Sequence, residues 1–415
     1  MPEISDPIEV RDPRLREAEL FERLPKLLAR AMAQAPGWAR HLDGIDPLSV
    51  TSRSMLARLP VLRKSEIRER QAADPPFAGL VVGGPESWSR IFVSPGPIFE
   101  TMARTSDPGR GRRALRAAGF VPGDIVLNTF AYHLSPGGFI LDEAARAHGC
   151  VVIPGGTGNS DAQVEAIAHL RVVGYLGTPD FLKVLIDKAA ALGRDIASLR
   201  RALVSGGALY PTLREEYMTR GIRVQQCYAT AEAGIIAYES AACESMIVEE
   251  EVIVEIVRPG TGDPVDMGEV GEVVVTNFDP VYPMIRLATG DLSAVLPGPS
   301  PCGRTNMRIR GWLGRADQST KVRGLFVTPS QIAEIASKHP ELGRLRLIVG
   351  REGEQDTAVL EAECAEPSSE LAASLRDTFR SVTRVRCEVV LVPPATLPND
   401  GRVIVEERQP QRSQS

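Results

Sequence analysis

Apolar residues in RLREAELFERLPKLLARAMAQAPGWARHL recur at helical spacing, and the run predicts two amphipathic helices broken near Pro36. Farther on the period changes. DIVLNTF, CVVIPGG, VVGYLGTP, RALVSGG and RVQQCYAT are short β-rich runs ending in small or polar residues, with DAQVEAIAHL and TPDFLKVLIDKAAALG between them at helical spacing. Strands that alternate with helices predict a parallel sheet in a layered α/β domain. In such sheets ligands sit beyond the carboxyl ends of the strands. Small residues gather at those ends: Gly155–Gly156, Gly177–Thr178–Pro179, Ser205–Gly206–Gly207 and Tyr228–Ala229–Thr230. MIVEEEVIVEIV and EVGEVVVTNF then alternate around the turn signal PGTGDP, which predicts antiparallel strands. The last part mixes PSQIAEIASKHP, RLRLIVGR, DTAVLEAEC, SELAASLRDTFRSVT and RCEVVLVP, the pattern of a small α+β domain, and EERQPQRSQS reads as a frayed tail.

Composition narrows the function classes. A chain of 415 residues holds two domains with ample core. A net charge of −5 with no strong basic run argues against a nucleic-acid binder. No apolar stretch approaches membrane-spanning length, and the N-terminus MPEISDPIEVRDPRLREAEL lacks the apolar core of a signal peptide, so a cytoplasmic protein is expected. The cysteines Cys150, Cys227, Cys243, Cys302, Cys364 and Cys387 are scattered without a CxxC pair, which favours thiols over disulfides.

Six short motifs occur in a telling order: GTPDFL (Gly177–Leu182), SGGALY (Ser205–Tyr210), CYATAEAG (Cys227–Gly234), IRLATGD (Ile285–Asp291), PCGRT (Pro301–Thr305) and GRADQSTKVRGLFVTPSQIAEI (Gly314–Ile335). Together they resemble the adenylate-forming (AMP-binding) enzymes, and within them the phenylacetate–CoA ligase branch, from about Phe21 to the end. The resemblance implies an α/β fold with a large N-terminal domain, 1–316, and a small α+β lid domain, 317–415. The large domain divides into a helical part at 1–70, an α/β core at 85–245 and a β-rich part at 247–316. It also implies roles. Ser205–Gly207 and Tyr228–Glu232 line the adenine and acyl pockets, and Glu232 matches the acid that holds magnesium at the phosphates. Asp291 and Arg315 match contacts to ribose; an ionised carboxylate suits that task because it only accepts hydrogen bonds. Asp317 matches the hinge of the lid, and Val322, Arg323 and Gly324 match its lining of the pantetheine tunnel. Phe130, Tyr132 and Tyr228 supply aromatic walls, with Gly137, Gly138, Gly206, Gly207 and Ala229 making room for a flat ring. Each residue also reads as ordinary structure: Asp291 as a turn residue, Glu232 as a solvated acid at a helix start, Arg315 and Asp317 as a surface pair.

The chain departs from the family in three places. The stretch RIFVSPGPIFETMART stands where the family has a Ser-, Thr- and Gly-rich loop with a lysine. Here Pro95 and Pro97 remove backbone donors, Phe99 replaces a glycine and Glu100 replaces the lysine, so the small residues and positive charge of a phosphate cradle are gone. Near the C-terminus PNDGRVIVEER puts Arg402 where the family has its catalytic lysine; arginine keeps the charge with a different geometry. Of a Cys-His-Cys-Cys zinc set found in the branch, only Cys243 and Cys302 match, with Met246 and Ser300 at the other two places, so no zinc is expected and the two cysteines read as buried remnants.

The groups that serve ATP are lost together, while the hinge, lid and ribose-side motifs persist. That pattern argues against ATP and magnesium and predicts an ATP-independent acyltransferase. Its substrate is an aryl-CoA thioester, and its product is an aromatic, anthraniloyl-like acyl group on the phosphopantetheine thiol of an acyl carrier protein in secondary metabolism. The chain resembles the ligase-like anthraniloyl-CoA transferases of aurachin (quinolone alkaloid) biosynthesis in this respect. Transfer through an acyl-enzyme makes Cys227 the candidate nucleophile and His133 its base. Both thiols sharing one tunnel favours this covalent course, with direct transfer between the two thiols as the alternative, and Cys227 and His133 also read as a small core residue and a hydrogen-bonded pocket wall. Competing expectations are an ATP-dependent aryl acid–CoA ligase with an atypical loop, and an inactive ligase-like scaffold subunit. A homodimer is compatible with this branch, whose members often dimerise.

Overall fold

Pro13 opens the first helix behind an Asp12 cap that accepts the Arg14 N–H at 2.7 Å, and Pro36 starts a second helix immediately after the first ends. The helices run Pro13–Gln34 and Pro36–His41, as the apolar spacing predicts. Leu20, Leu24, Leu28 and Ala31 form the buried face and pack with Trp38, whose indole N–H donates to the Leu80 carbonyl at 3.1 Å. Each fully buried leucine contributes roughly 1.5–3 kcal/mol.

The computed structural model describes residues 6–408 except 95, 208, 210, 259, 317–319, 324, 328, 353–354 and 399–402. The chain divides into two units, Met1–Leu313 and Gly314–Ser415; the sequence reading set the boundary at 316/317. The first unit is built on a mixed sheet. Val151–Pro154, Ile125–Asn128, Gly174–Gly177, Arg201–Val204 and Arg223–Thr230 lie side by side in that order, all parallel. Gly234–Glu239, Met246–Val248, Arg308–Ile309 and Val295–Leu296 continue the sheet antiparallel. Helices Gly137–His148, Ser160–Leu170 and Pro179–Ala191 connect the parallel strands. Phe120, Val126, Leu141 and Leu203 belong to one core cluster, and Tyr175, Leu185, Ala202 and Tyr217 to another.

A second sheet carries Leu62–Arg63, Leu287–Ser293, Gly271–Asn277 and Val252–Val257. Arg286, only 1% exposed, locks it to the preceding helices. Its guanidinium donates to both carboxylate oxygens of Glu255 at 3.0 Å and to the carbonyls of Ala57, Leu59 and Gly262. The N-terminal segment docks by another buried charge: Glu9 accepts from Arg304 Nε at 2.6 Å and from the Tyr238 hydroxyl at 2.8 Å.

RIFVSPGPIFETMART folds as a β-hairpin rather than an open loop, with strands Trp88–Ser94 and Ile98–Ala103 paired from Trp88↔Ala103 to Ser94↔Ile98.

The second unit has a sheet in the order Glu388–Val392, Gln355–Cys364, Leu342–Glu352, Ile404–Glu406, with helices Pro329–Lys338 and Ser369–Thr383. Among the described residues no helix is long and apolar enough to cross a membrane.

Candidate active site

Of the small residues at the carboxyl ends of the parallel strands, Ser205, Gly206, Ala229 and Thr230 line a pocket of about 180 Å³, whereas Gly155–Gly156 and Gly177–Thr178–Pro179 do not. Phe130, Gly137, Ile140, Leu141, Ala229 and Ile235 give it an apolar wall, and Ser205, Gly206, Cys227 and Thr230 supply its polar edge. Gly206 turns the chain with φ of 72°, a conformation that favours glycine. Among the described residues no charged side chain lines this pocket. It suits a flat, neutral acyl group.

Several expected pocket residues lie elsewhere. Tyr132 is half-buried and hydrogen-bonds Asn128 and Asp142, each at 2.8 Å, while packing edge-on against Phe139. Gly138 is buried where a Cβ would stand 2.6 Å from the Ala131 carbonyl oxygen, so it serves helix packing. Gly207 is exposed beside the pocket but does not line it. Tyr228 points away, donating to Asp291 Oδ2 at 2.9 Å. His133 is exposed and not among the pocket's lining residues. Cys227 does line the pocket, but burial pushes its thiol up to about 12, opposed only in part by a hydrogen bond with Ser205. The expected Cys–His pair is not brought together; a thiol held that far up is a poor nucleophile without a neighbouring base.

A second, smaller cavity of about 30 Å³ shares the walls Pro136, Ile140 and Ala231 with the acyl pocket. Glu100 and Glu232 both line it, 1% and 5% exposed. Glu232 pairs with Lys64 Nζ at 2.7 Å. Glu100 Oε1 accepts from the Ser94 hydroxyl at 2.6 Å. Burial, then the charge of Glu232, push Glu100 up to about 8, against the pull of Ser94 and Lys64. At neutral pH the pair therefore holds a proton on Glu100.

The hairpin, which stands in sequence where the resembled family has its phosphate loop, lines this cavity with Phe92, Glu100, Thr101 and Met102, and these residues do not fit a triphosphate. The hairpin is closed by the Ser94↔Ile98 pair. The Phe99 N–H donates to Gln71 Oε1 at 2.8 Å, and its carbonyl accepts from Gln71 Nε2 at 2.7 Å, so this backbone is already satisfied. Two acidic side chains face the cavity where a phosphate needs donors. Glu232 is paired here with the Lys64 ammonium, and among the described residues no group of three or more His, Cys, Asp or Glu side chains could hold a metal ion. Asp291, expected at the ribose, accepts from Tyr228 on one oxygen and from Trp312 Nε1 at 3.1 Å on the other.

The lid residues are described only in part. Asp317, Gly324 and Arg402 lie outside the described residues, as does the side chain of Arg315. Val322 is buried in the core of its own unit, so its side chain is committed to packing. Arg323 is exposed, its N–H donating to Asp356 Oδ2 at 2.9 Å. Of the two cysteines expected to be buried, Cys243 is exposed and lies 3.3 Å from Arg214 Nη1, while Cys302 is half-buried against Ser300 at 3.1 Å. Met246 packs in an apolar cluster. Lys64, Gln71 and Tyr282 complete the small cavity's surroundings and carry no sequence signal; they sit in polar or irregular stretches that any surface segment could have.

The profile of the AMP-binding enzyme family matches residues 114–278. The phenylacetate–coenzyme A ligase of Thermus thermophilus is 29% identical over 368 residues, covering 83% of this chain and 81% of that protein. The phenylacetate–coenzyme A ligase of Escherichia coli is 28% identical over 420 residues, covering 95% and 94%. A structure of 2-hydroxyisobutyryl-CoA ligase in complex with 2-HIB-AMP and CoA superposes with a TM-score of 0.78 at 24% identity, covering 99% of this chain and 94% of that one, a likeness of fold.

Proposed function

Since this chain is a phenylacetate–CoA ligase-like member of the adenylate-forming enzymes, we propose that it exchanges thioesters without ATP, moving an aromatic acyl group from CoA to the phosphopantetheine thiol of an acyl carrier protein. The observation that supports this reading is the buried Glu100–Glu232 pair, with Lys64 on Glu232, beside the hairpin that replaces the phosphate loop in sequence. A ligase needs that loop for ATP; a transferase that receives a loaded acyl donor does not. The remaining needs are modest. Thioester exchange is close to thermoneutral, so the protein has to align the two sulfurs on one carbonyl and stabilise the developing oxyanion. The uncharged pocket around Phe130 and Ile140 would hold the ring. In this reading the resemblance of Asp317 and the Val322–Gly324 segment to the family's hinge and tunnel motifs supports a retained lid and thiol path. Cys227 serves this reading as a pocket wall, and the acyl group passes directly between thiols.

A second reading, an ATP-dependent aryl acid–CoA ligase, is favoured by the names of the relatives, which are ligases. ATP–pyrophosphate exchange separates the two. With benzoate or anthranilate, magnesium and ATP, we expect no exchange above background; acid-dependent exchange would return the chain to the ligases.

A further inference from the structure

The 30 Å³ cavity contains more polar atoms than its own protein partners satisfy. Glu100 Oε2, Thr101 Oγ1, Glu232 Oε2 and Tyr282 Oη are all buried, line it, and find no hydrogen-bond partner among the described residues. Leaving such atoms dry is costly. A volume of about 30 Å³ accommodates one or two water molecules, which need two to four polar partners each, and these atoms supply them. The cavity thus has the size and the polar partners for water beside two carboxylates, and it shares the walls Pro136, Ile140 and Ala231 with the acyl pocket.

Thiol exchange needs two proton movements. The incoming thiol must lose a proton, and the departing thiolate must gain one. The usual candidate, His133, faces solvent. Resting on the transferase reading above, we propose that Glu100 and Glu232 are the proton-handling pair of the exchange, working through the water of this cavity. As the carrier sulfur bonds to the thioester carbon, its proton passes by way of water to the Glu232 carboxylate. When the tetrahedral intermediate collapses and the bond from carbon to the CoA sulfur breaks, the thiolate takes the proton of Glu100. The pair begins and ends with one proton, and its migration from Glu232 back to Glu100 resets the site. Aryl-CoA and carrier thiol become aryl-carrier and CoA thiol, with nothing else consumed.

The groups that face Glu100 come from every neighbouring element: Lys64 from the helix Lys64–Ala73, Ser94 from the opposing strand, Glu232 from the turn after Arg223–Thr230, and Tyr282, Arg110 and Asp279 from the cavity wall. Arg110 donates to the Ala233 carbonyl and so holds the turn that carries Glu232.

The test uses the full chain, benzoyl-CoA and a holo carrier protein, with initial rates measured across neutral and alkaline pH. Glu100→Gln keeps the shape and the neutral state but cannot give up a proton. We expect its kcat to fall by about 100-fold or more with the KM for benzoyl-CoA unchanged, the range of general acid–base contributions. Wild-type kcat should decline above about pH 8, where Glu100 ionises, and this decline should be absent from the variant's residual rate. Glu100→Asp should recover part of the activity, which a purely structural role would not require. Glu232→Gln, checked for an unchanged melting curve, carries the same test should the first variant fold poorly. Wild-type kcat and pH profile in both glutamine variants would overturn the inference while leaving the transferase reading intact. A wild type that never acylates the carrier would instead remove that reading.

Discussion

Arg286→Ala is expected to destabilise the large unit by about 3–5 kcal/mol. The side chain is 1% exposed and makes five hydrogen bonds: two to Glu255 and three to the carbonyls of Ala57, Leu59 and Gly262. Its loss takes from Glu255 both hydrogen bonds and the larger of its two counter-charges, leaving that of Arg53, in a site where burial already pushes the carboxyl up. It also leaves three buried carbonyls without a donor, and it unpins the helical segment before Leu62 from the strand that carries Asp291. Urea unfolding followed by circular dichroism measures the change. Glu255→Gln in the Arg286→Ala background should recover part of the loss, because the poorly paired charge is gone. A cost below about 1 kcal/mol, the scale of an exposed ion pair, would contradict this account of the junction.

The second large effect is on the pH dependence of stability. Folded Glu100 keeps its proton up to about pH 8, whereas the unfolded carboxyl loses it near an ordinary 4.5. Between those values the folded state binds more protons than the unfolded one, so stability falls as pH rises through that window. Glu249, pushed up to about 7 by burial despite Arg113, adds to the same slope. Glu100→Gln has no proton to lose. Its urea midpoint should exceed that of the wild type at about pH 8.5, match it more closely near pH 5, and keep the part of the slope that Glu249 and the other raised carboxyls, Glu250 and Glu255, supply. Parallel curves for the two proteins would mean that Glu100 ionises normally and that the pair in the cavity is wrongly described.

The strand and helix pattern of the parallel sheet was legible because each element is short, regular and bounded by small residues. The pocket at its carboxyl end followed from topology alone. The hairpin at Trp88–Ala103 was not, since its prolines and glycine read as a loop. Yet its alternation held the clue: Ile98, Glu100 and Met102 fall on one face, with Phe99 on the other, and the apolar neighbours of Glu100 mark that face as the buried one. Glu100 was therefore noticed as a charge that repels phosphate, but not as an acid in the interior. His133 stood near the pocket in sequence, but the chain turns at Leu134, where φ is 59°, and leaves the histidine outside. Long-range ion pairs had no local signal at all. Glu9 and Arg304, or Lys64 and Glu232, are ordinary charges until the fold brings them together in a buried site. The lid motifs were the clearest in the sequence, and Asp317 and Gly324 lie outside the described residues.

The most direct measurement is the intact mass of a holo acyl carrier protein incubated with this chain and benzoyl-CoA or anthraniloyl-CoA, with ATP removed by apyrase. The account predicts a carrier heavier by one acyl group, at a rate that added ATP and magnesium leave unchanged. An unmodified carrier, alongside CoA thioester formed from free acid only when ATP is supplied, would contradict it.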